Sequence, residues 1–200
     1  MSWTGAGGSF KEASKAILIR YADDFVVLCR TETEAKAAKA TVEAILSERK
    51  LKLHPQKTRI VDLSEGRGKF TFLGCTLRKV RGRKYGRRFY LNRWPSPRSM
   101  ERIRDRIREV CAIRRNSGRP LLDTIGDLRP VMLGWAAYFR TGNASRAFAK
   151  VERHAWMRLR LLQSRRSQRS RRTLSFTGAV RLGLPRLQGT IRYPGGANAR

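Results

Sequence analysis

Cysteine and histidine, which carry much of the chemistry of small proteins, are scarce in this chain. Of its 200 residues only three are cysteine and two histidine. Cys29, Cys75 and Cys111 are far apart and form no Cys-x-x-Cys spacing, so neither a structural zinc site nor a disulfide framework is indicated. Unpaired thiols fit a reduced, intracellular compartment. Acidic residues are scarce too: 15 Asp and Glu stand against 45 Lys and Arg, a formal net charge of +30. A compact domain so charged repels itself, so a polyanionic partner is implied, nucleic acid ahead of an anionic membrane surface. No apolar run approaches the ~20 residues of a membrane span. The opening MSWTGAGGSFKEASKA lacks an apolar signal core, so secretion is not expected.

What is present suits one domain or two small ones, with a hydrophobic content of 40% that supports a real core. Its most informative stretch is ILIRYADDFVVLC, Ile17 to Cys29. Two short apolar runs, each the length of one buried strand, flank Asp23 and Asp24. Like charges held together at a sheet edge repel unless cations lie between them, and paired carboxylates that clamp divalent ions serve two-metal phosphoryl transfer. Asp-Asp between strands is also at home in a polar turn.

Residues 1–15 show no period and read as a loose N-terminal segment. After the strand pair, Thr31 and Glu34 have capping-box spacing, and Ala35, Ala38, Val42, Ile45 and Leu46 recur at helical spacing through Lys50. The Ala-rich face of that helix is expected to pack on the sheet. TRIVDL (58–63) and KFTFLGCTL (69–77) read as strands around the turn SEGRG, and RKVRGRKYGRRFYLNR (78–93) as a hairpin or loose loop. The prolines of WPSPRS (94–99) mark a domain boundary. Beyond it come three apolar stripes. They are Met100, Ile103, Ile107 and Val110; Leu128, Met132, Trp135, Tyr138 and Phe139; and Phe148, Val151, Ala155, Leu159 and Leu162, the last on a helix starting near Ala144. They predict a small helical bundle. The resulting division is 16–95, 96–172, which closes on the basic run QSRRSQRSRR (163–172) as helix end or tail, and a Gly/Pro-rich 173–200.

These blocks, taken together, resemble the group II intron-encoded reverse transcriptases, or maturases. YADDFVVL (21–28) looks like the catalytic block of that family's palm, LKLHPQKTRIV (51–61) like the following block, and FTFLGCTL (70–77) like the block that holds the primer end. LRPVMLGWAAYFRTGNASRAFAKVERHAWMRLR (128–160) resembles the thumb, or maturase, signature. The resemblance implies an α+β fold: a partial palm of antiparallel sheet plus helix, then an α-helical thumb/maturase bundle. It implies that Asp23 and Asp24 hold Mg2+ and that Lys57 lies near the active site, although an ordinary surface lysine fits the same position. It implies that Phe72, Leu73 and Gly74 position the primer. Strand core for Phe72 and Leu73, and a bulge at Gly74, fit equally well.

One departure from the family pattern matters. The family's metal site also draws an Asp from an earlier palm block, and only 20 residues precede Tyr21 here, with Glu12 their sole carboxylate. The expectation is an incomplete catalytic site: a chain inactive as a polymerase alone, one half of a split enzyme whose partner chain supplies fingers and first half of palm, or a non-functional remnant. The helical half does not depend on that site. Arg140, Arg146, Lys150, Arg153, Arg158, Arg160, Arg165 and Arg166 crowd onto its second and third helices, and Arg suits bidentate phosphate contact. His154, in the same stretch, would face RNA or water, and Trp156 reads as either core or base-stacking. The resemblance implies binding of structured intron RNA with assistance to its splicing, a DNA primer or target as a further partner, no membrane, and a cytoplasmic ribonucleoprotein setting.

Overall fold

The computed structural model describes residues 16–82, 89–166 and 173–192. The expectations for 1–15, for the hairpin tip at 83–88, for 167–172 and for 193–200 lie outside the described residues, as does the side chain of Arg166. The fold is α+β, with two small antiparallel sheets and six helices among the described residues. Contacts divide the chain into two compact units. The first runs through Leu73 and takes in Lys79–Phe89; the second comprises Gly74–Arg78 and the chain from Tyr90.

In the first unit β1 (Ile17–Tyr21) and β2 (Asp24–Leu28) pair antiparallel, from Ile17 opposite Leu28 to Tyr21 opposite Asp24. Ala22 and Asp23 form the two-residue turn, Ala22 with φ 51°. Helix α1 (Glu32–Glu48) follows, capped by Thr31, whose hydroxyl accepts from the Glu34 N–H at 3.2 Å. The Glu34 carboxylate reaches back to the Arg30 N–H at 2.8 Å, one residue earlier than a capping box requires. Ala38 is buried and Ala35, Val42, Ile45 and Leu46 are half-buried, which is the expected stripe, and α1 packs on β2.

Two expectations need correction. The apolar runs of β1 and β2 are not buried: Ile17 is 60%, Leu18 47% and Tyr21 66% exposed. An apolar run makes a strand, but only a second layer buries it, and α1 covers little. Residues 58–63 form no strand either. Asp62 accepts from the Ser64 N–H at 2.7 Å and from its hydroxyl at 2.6 Å, and this side-chain turn folds the backbone away from any strand partner. The SEGRG turn is present as a short 3-10 turn, Ser64–Gly66. Gly66, at φ +74°, lies so close to the strand carrying Lys79 that a Cβ would sit 2.7 Å from the Lys79 carbonyl oxygen.

A three-stranded sheet has the order β3 (Phe70–Phe72), β4 (Cys75–Arg81), β5 (Phe89–Pro95). The single strand expected over 69–77 is therefore split by a turn at Leu73 and Gly74, both left-handed, at φ 47° and 70°. Paired positive φ values are the hairpin-turn signature.

The second unit holds the core. Helix α2 (Pro97–Val110) starts at its Ser96 cap with Pro97 in the first turn. A short α3 (Ile113–Asn116) leads to α4 (Leu121–Phe139) and α5 (Ser145–Arg166). Helices α2, α4 and α5 pack on one another. Met100, Ile103, Ile107 and Val110 meet Leu128, Met132 and Phe139 and the stripe Phe148, Val151, Ala155, Leu159. Leu162 is buried as well. Trp135 is half-buried, its ring 4.9 Å from Phe139 and 5.6 Å from Phe148, whereas Tyr138 is 58% exposed and not core. Buried Asn116 clamps the α2–α4 connection: its amide donates to the Val110 and Ala112 carbonyls at 2.7 and 2.8 Å and accepts from the Thr124 hydroxyl at 2.7 Å.

The C-terminal segment belongs to this core through α6 (Phe176–Arg181), capped by Ser175, and buried Leu174, Ala179, Leu184 and Leu187. Glu152 is buried on α5 and accepts from the Leu187 and Gln188 N–H groups at 2.5 and 3.1 Å, with the Arg186 guanidinium at 3.8 Å.

Candidate nucleic-acid interface

At the hairpin tip, the turn and the first residue of β2 bring Asp23 and Asp24 side by side, both exposed. Two carboxylates are part of a divalent-ion donor set, since Mg2+ is commonly held by one or two carboxylates with water and substrate phosphates supplying the rest. Among the described residues no group of three His, Cys, Asp or Glu comes together. Lys57 lies exposed in the turn whose Lys57 and Thr58 N–H groups donate to the His54 carbonyl. No ion pair joins Lys57 to either carboxylate among the described residues.

Phe72, Leu73 and Gly74 sit at the β3–β4 turn, and all three are half-buried. The Gly74 carbonyl accepts from the Ser96 N–H and the Ser99 hydroxyl, both at 2.8 Å. A Cβ at Gly74 would lie 2.9 Å from the Ser99 oxygen, so conformation and space both require glycine there. The turn is thus fixed to the first turn of α2.

On α5 the apolar stripe faces the core and the opposite face carries exposed Arg146, Lys150, Arg153 and Arg160, together with Met157. The only carboxylate on α5, Glu152, is buried on the core side, so nothing acidic interrupts the cationic face. Arg165 is exposed beyond it. Arg140 is half-buried at the end of α4, and its carbonyl accepts from the Arg192 N–H at 2.7 Å.

Arg158 departs from that face. It is half-buried on the flank toward α2, close enough to Cys111 for its charge to act on the thiol, which burial pushes up to about 11. His154, one turn earlier, is also half-buried. Burial pulls its pKa down, a hydrogen bond to the Arg104 backbone opposes this, and the charges of Arg108, Arg158 and Arg104 reinforce it. Trp156 takes the structural role: its indole N–H donates to the Leu174 carbonyl at 2.9 Å and its ring meets Phe176 edge-on at 6.1 Å.

Sequence reasoning missed the residues that act through the backbone. Thr141, Gly142 and Asn143 dock onto β5, where the Asn143 N–H donates to the Arg93 carbonyl at 2.7 Å, and Gly142 packs so closely on that carbonyl that no Cβ fits. The Arg93 guanidinium donates to the Thr141 hydroxyl. The only sequence signal for this was a Gly-Asn pair between two helices.

The model of the reverse transcriptase (RNA-dependent DNA polymerase) family matches residues 6–77, and that of the group II intron maturase-specific domain matches residues 100–177. No curated protein matches the chain. In this order the two matches define a reverse transcriptase joined to a maturase domain. The chain belongs to the group II intron reverse transcriptase/maturase family. No helix among the described residues is long and apolar enough to cross a membrane.

Proposed function

We propose that this chain binds structured group II intron RNA through the outward face of α5 and assists its folding for splicing. The observation that carries this reading is the uninterrupted cationic face of Arg146, Lys150, Arg153 and Arg160, at helical spacing on a rigid, core-packed helix. Such a face follows backbone phosphates and RNA shape rather than base sequence. Arg140 and Arg165 extend the same basic region, and Arg158 adds positive charge from the flank toward α2. A cytoplasmic ribonucleoprotein is the setting this reading implies.

The test is RNA binding as a function of salt, comparing wild type with the Arg146→Gln/Lys150→Gln/Arg153→Gln/Arg160→Gln variant. With about 0.7–0.9 counterions released per phosphate contact, loss of four contacts lowers the log–log slope by ~3. An unchanged slope in a variant with wild-type thermal unfolding sinks the reading.

A second activity is supported by the carboxylates at the hairpin tip. Asp23 and Asp24 would hold Mg2+, which when bound activates a primer hydroxyl and neutralises a triphosphate. Phe72, Leu73 and Gly74 would position the primer end of a DNA strand, and Lys57 would offset phosphate charge. The exposed apolar faces of β1 and β2 suit further palm strands from a partner chain, because a lone hairpin is marginal in water. Mg2+-dependent primer extension by this chain alone should be absent. Extension that disappears in the Asp23→Ala/Asp24→Ala variant would show a complete catalytic site instead.

A further inference from the structure

The seam between α2 and α5 gathers positive charge, with Arg104 and Arg108 exposed along its rim and His154 and Arg158 half-buried beneath them. Arg104 and Arg108 lie one turn apart on α2, and His154 and Arg158 lie one turn apart on α5. All three guanidinium charges act on the His154 ring. Two of the few buried side-chain nitrogens without a hydrogen-bond partner are here, His154 Nε2 and Arg158 Nε. The Arg158 Nε–H is a buried donor without an acceptor, which is costly and points to an acceptor that the protein does not itself supply; one turn earlier, the unpartnered His154 Nε2 can donate to the same group once it is protonated.

We propose that this seam is a phosphate site, in which Arg104, Arg108 and Arg158 hold one backbone phosphate of bound RNA and His154 joins them by taking a proton from solvent. The proposal rests on the RNA-binding reading but concerns a different surface from the outward face of α5. The proton follows from the chemistry of the acceptor. A phosphodiester oxygen accepts hydrogen bonds and cannot donate them, so a bare Nε2 has nothing to offer it. With the other ring nitrogen bonded to the Arg104 backbone, Nε2 must gain a hydrogen to take part.

In the free protein the surroundings hold His154 neutral. From α2 it is faced by Arg104 and Arg108, and from its own helix by Arg158. The buried Cys111 thiol nearby is uncharged at neutral pH. By register the carboxylates of α2 nearest this flank are Glu101 and Asp105; Asp105 is ion-paired to Arg108, and neither is among the groups acting on His154. An arriving phosphate reverses the sign of the field at the ring and draws Arg108 from Asp105, so binding and protonation favour each other.

The chain contains only one other histidine, the exposed His54, which serves as an internal reference. The experiment is an NMR pH titration of both imidazoles in the full chain, free and saturated with a short intron-type RNA hairpin. The proposal requires the His154 pKa to rise by at least one unit on binding, well beyond any shift at His54, and RNA affinity to tighten several-fold from pH 8 to pH 6. His154→Gln should remove that pH dependence, and Arg104→Gln/Arg108→Gln should abolish the His154 shift. If RNA binds at full affinity and His154 titrates as in the free chain, the phosphate site is wrong and the α5 interface stands. If wild type binds no RNA, both readings fall.

Discussion

The two units of this chain begin from equally strong apolar patterns and end differently. In the second unit the stripes of α2, α4 and α5 face one another, and Ile107, Leu128, Phe148 and Leu159 are fully buried. In the first, β1 and β2 hold a run of Ile, Leu, Val and Phe just as apolar, and most of it is open to solvent. The difference lies not in the residues but in the number of layers. Three helices can cover one another's stripes, whereas a hairpin with one helix leaves most of its surface bare. Apolar pattern therefore fixes the element, and the presence of a facing layer decides whether it becomes core.

The largest expected effect tests that contrast directly. Phe148→Ala removes a fully buried ring and should cost about 3–5 kcal/mol in urea unfolding of the full chain. Leu18→Ser on the exposed hairpin should stay within about 0.5 kcal/mol. A large loss for Leu18→Ser would break the comparison. It would mean that β1 is covered in solution, most simply by self-association at its open edge.

A somewhat smaller effect belongs to Cys111, buried where α2 ends. Burial pushes its thiol from 9.0 up to about 11. Between those values the unfolded chain has released the thiol proton and the folded chain still holds it. Stability is therefore intact below about pH 9 and falls until about pH 11, by roughly 2–3 kcal/mol. Cys29 and Cys75 are also raised by burial, so the measurement is the difference between wild type and Cys111→Ala across that window. A constant difference would show that the site is less dry than the packing implies.

Much of the second unit was legible from sequence because each stripe matched a helical period and had partners of the same kind. The stripe beginning at Met100 is the buried set of α2 without exception. Tyr138 was misassigned because its angular position borders the stripe and its ring turns outward beside Phe139. The hidden part consists of backbone partners far away in sequence. Glu152 reads as one acid among many cations, yet it binds N–H groups 35 and 36 residues later. Asn116 reads as a loop residue, yet it closes a helix connection. At the hairpin tip, Asp23 and Asp24 were located by sequence, while the missing strand at 58–63 was not, because one Asx turn at Asp62 overrides the alternation around it. Periodicity reports what an element can bury, and it is silent on side chains that satisfy remote backbone.

The smallest expected effect asks whether the two units unfold together. Each carries one carboxylate held below its ordinary range, exposed Asp62 in the first and half-buried Asp127 in the second. In the first, hydrogen bonds from the Ser64 hydroxyl and N–H lower Asp62, with help from the Arg67 and Lys79 charges. In the second, the Arg119 guanidinium at 3.0 Å lowers Asp127, with help from Arg115. A depressed carboxyl contributes stability above its unfolded pKa and loses it as pH falls through the folded one, so both contributions vanish below about pH 4. Asp62→Asn and Asp127→Asn should each flatten the acid limb of thermal stability slightly, with little change at pH 7 beyond a degree or two. The informative result is which transition moves. If Asp62→Asn shifts an early, shallow transition and Asp127→Asn a later, sharper one, the unequal layering of the units is an unequal stability. If both shift a single transition, the hairpin unit draws its stability from the helical one, and its bare apolar faces cost the folded chain less than their exposure suggests.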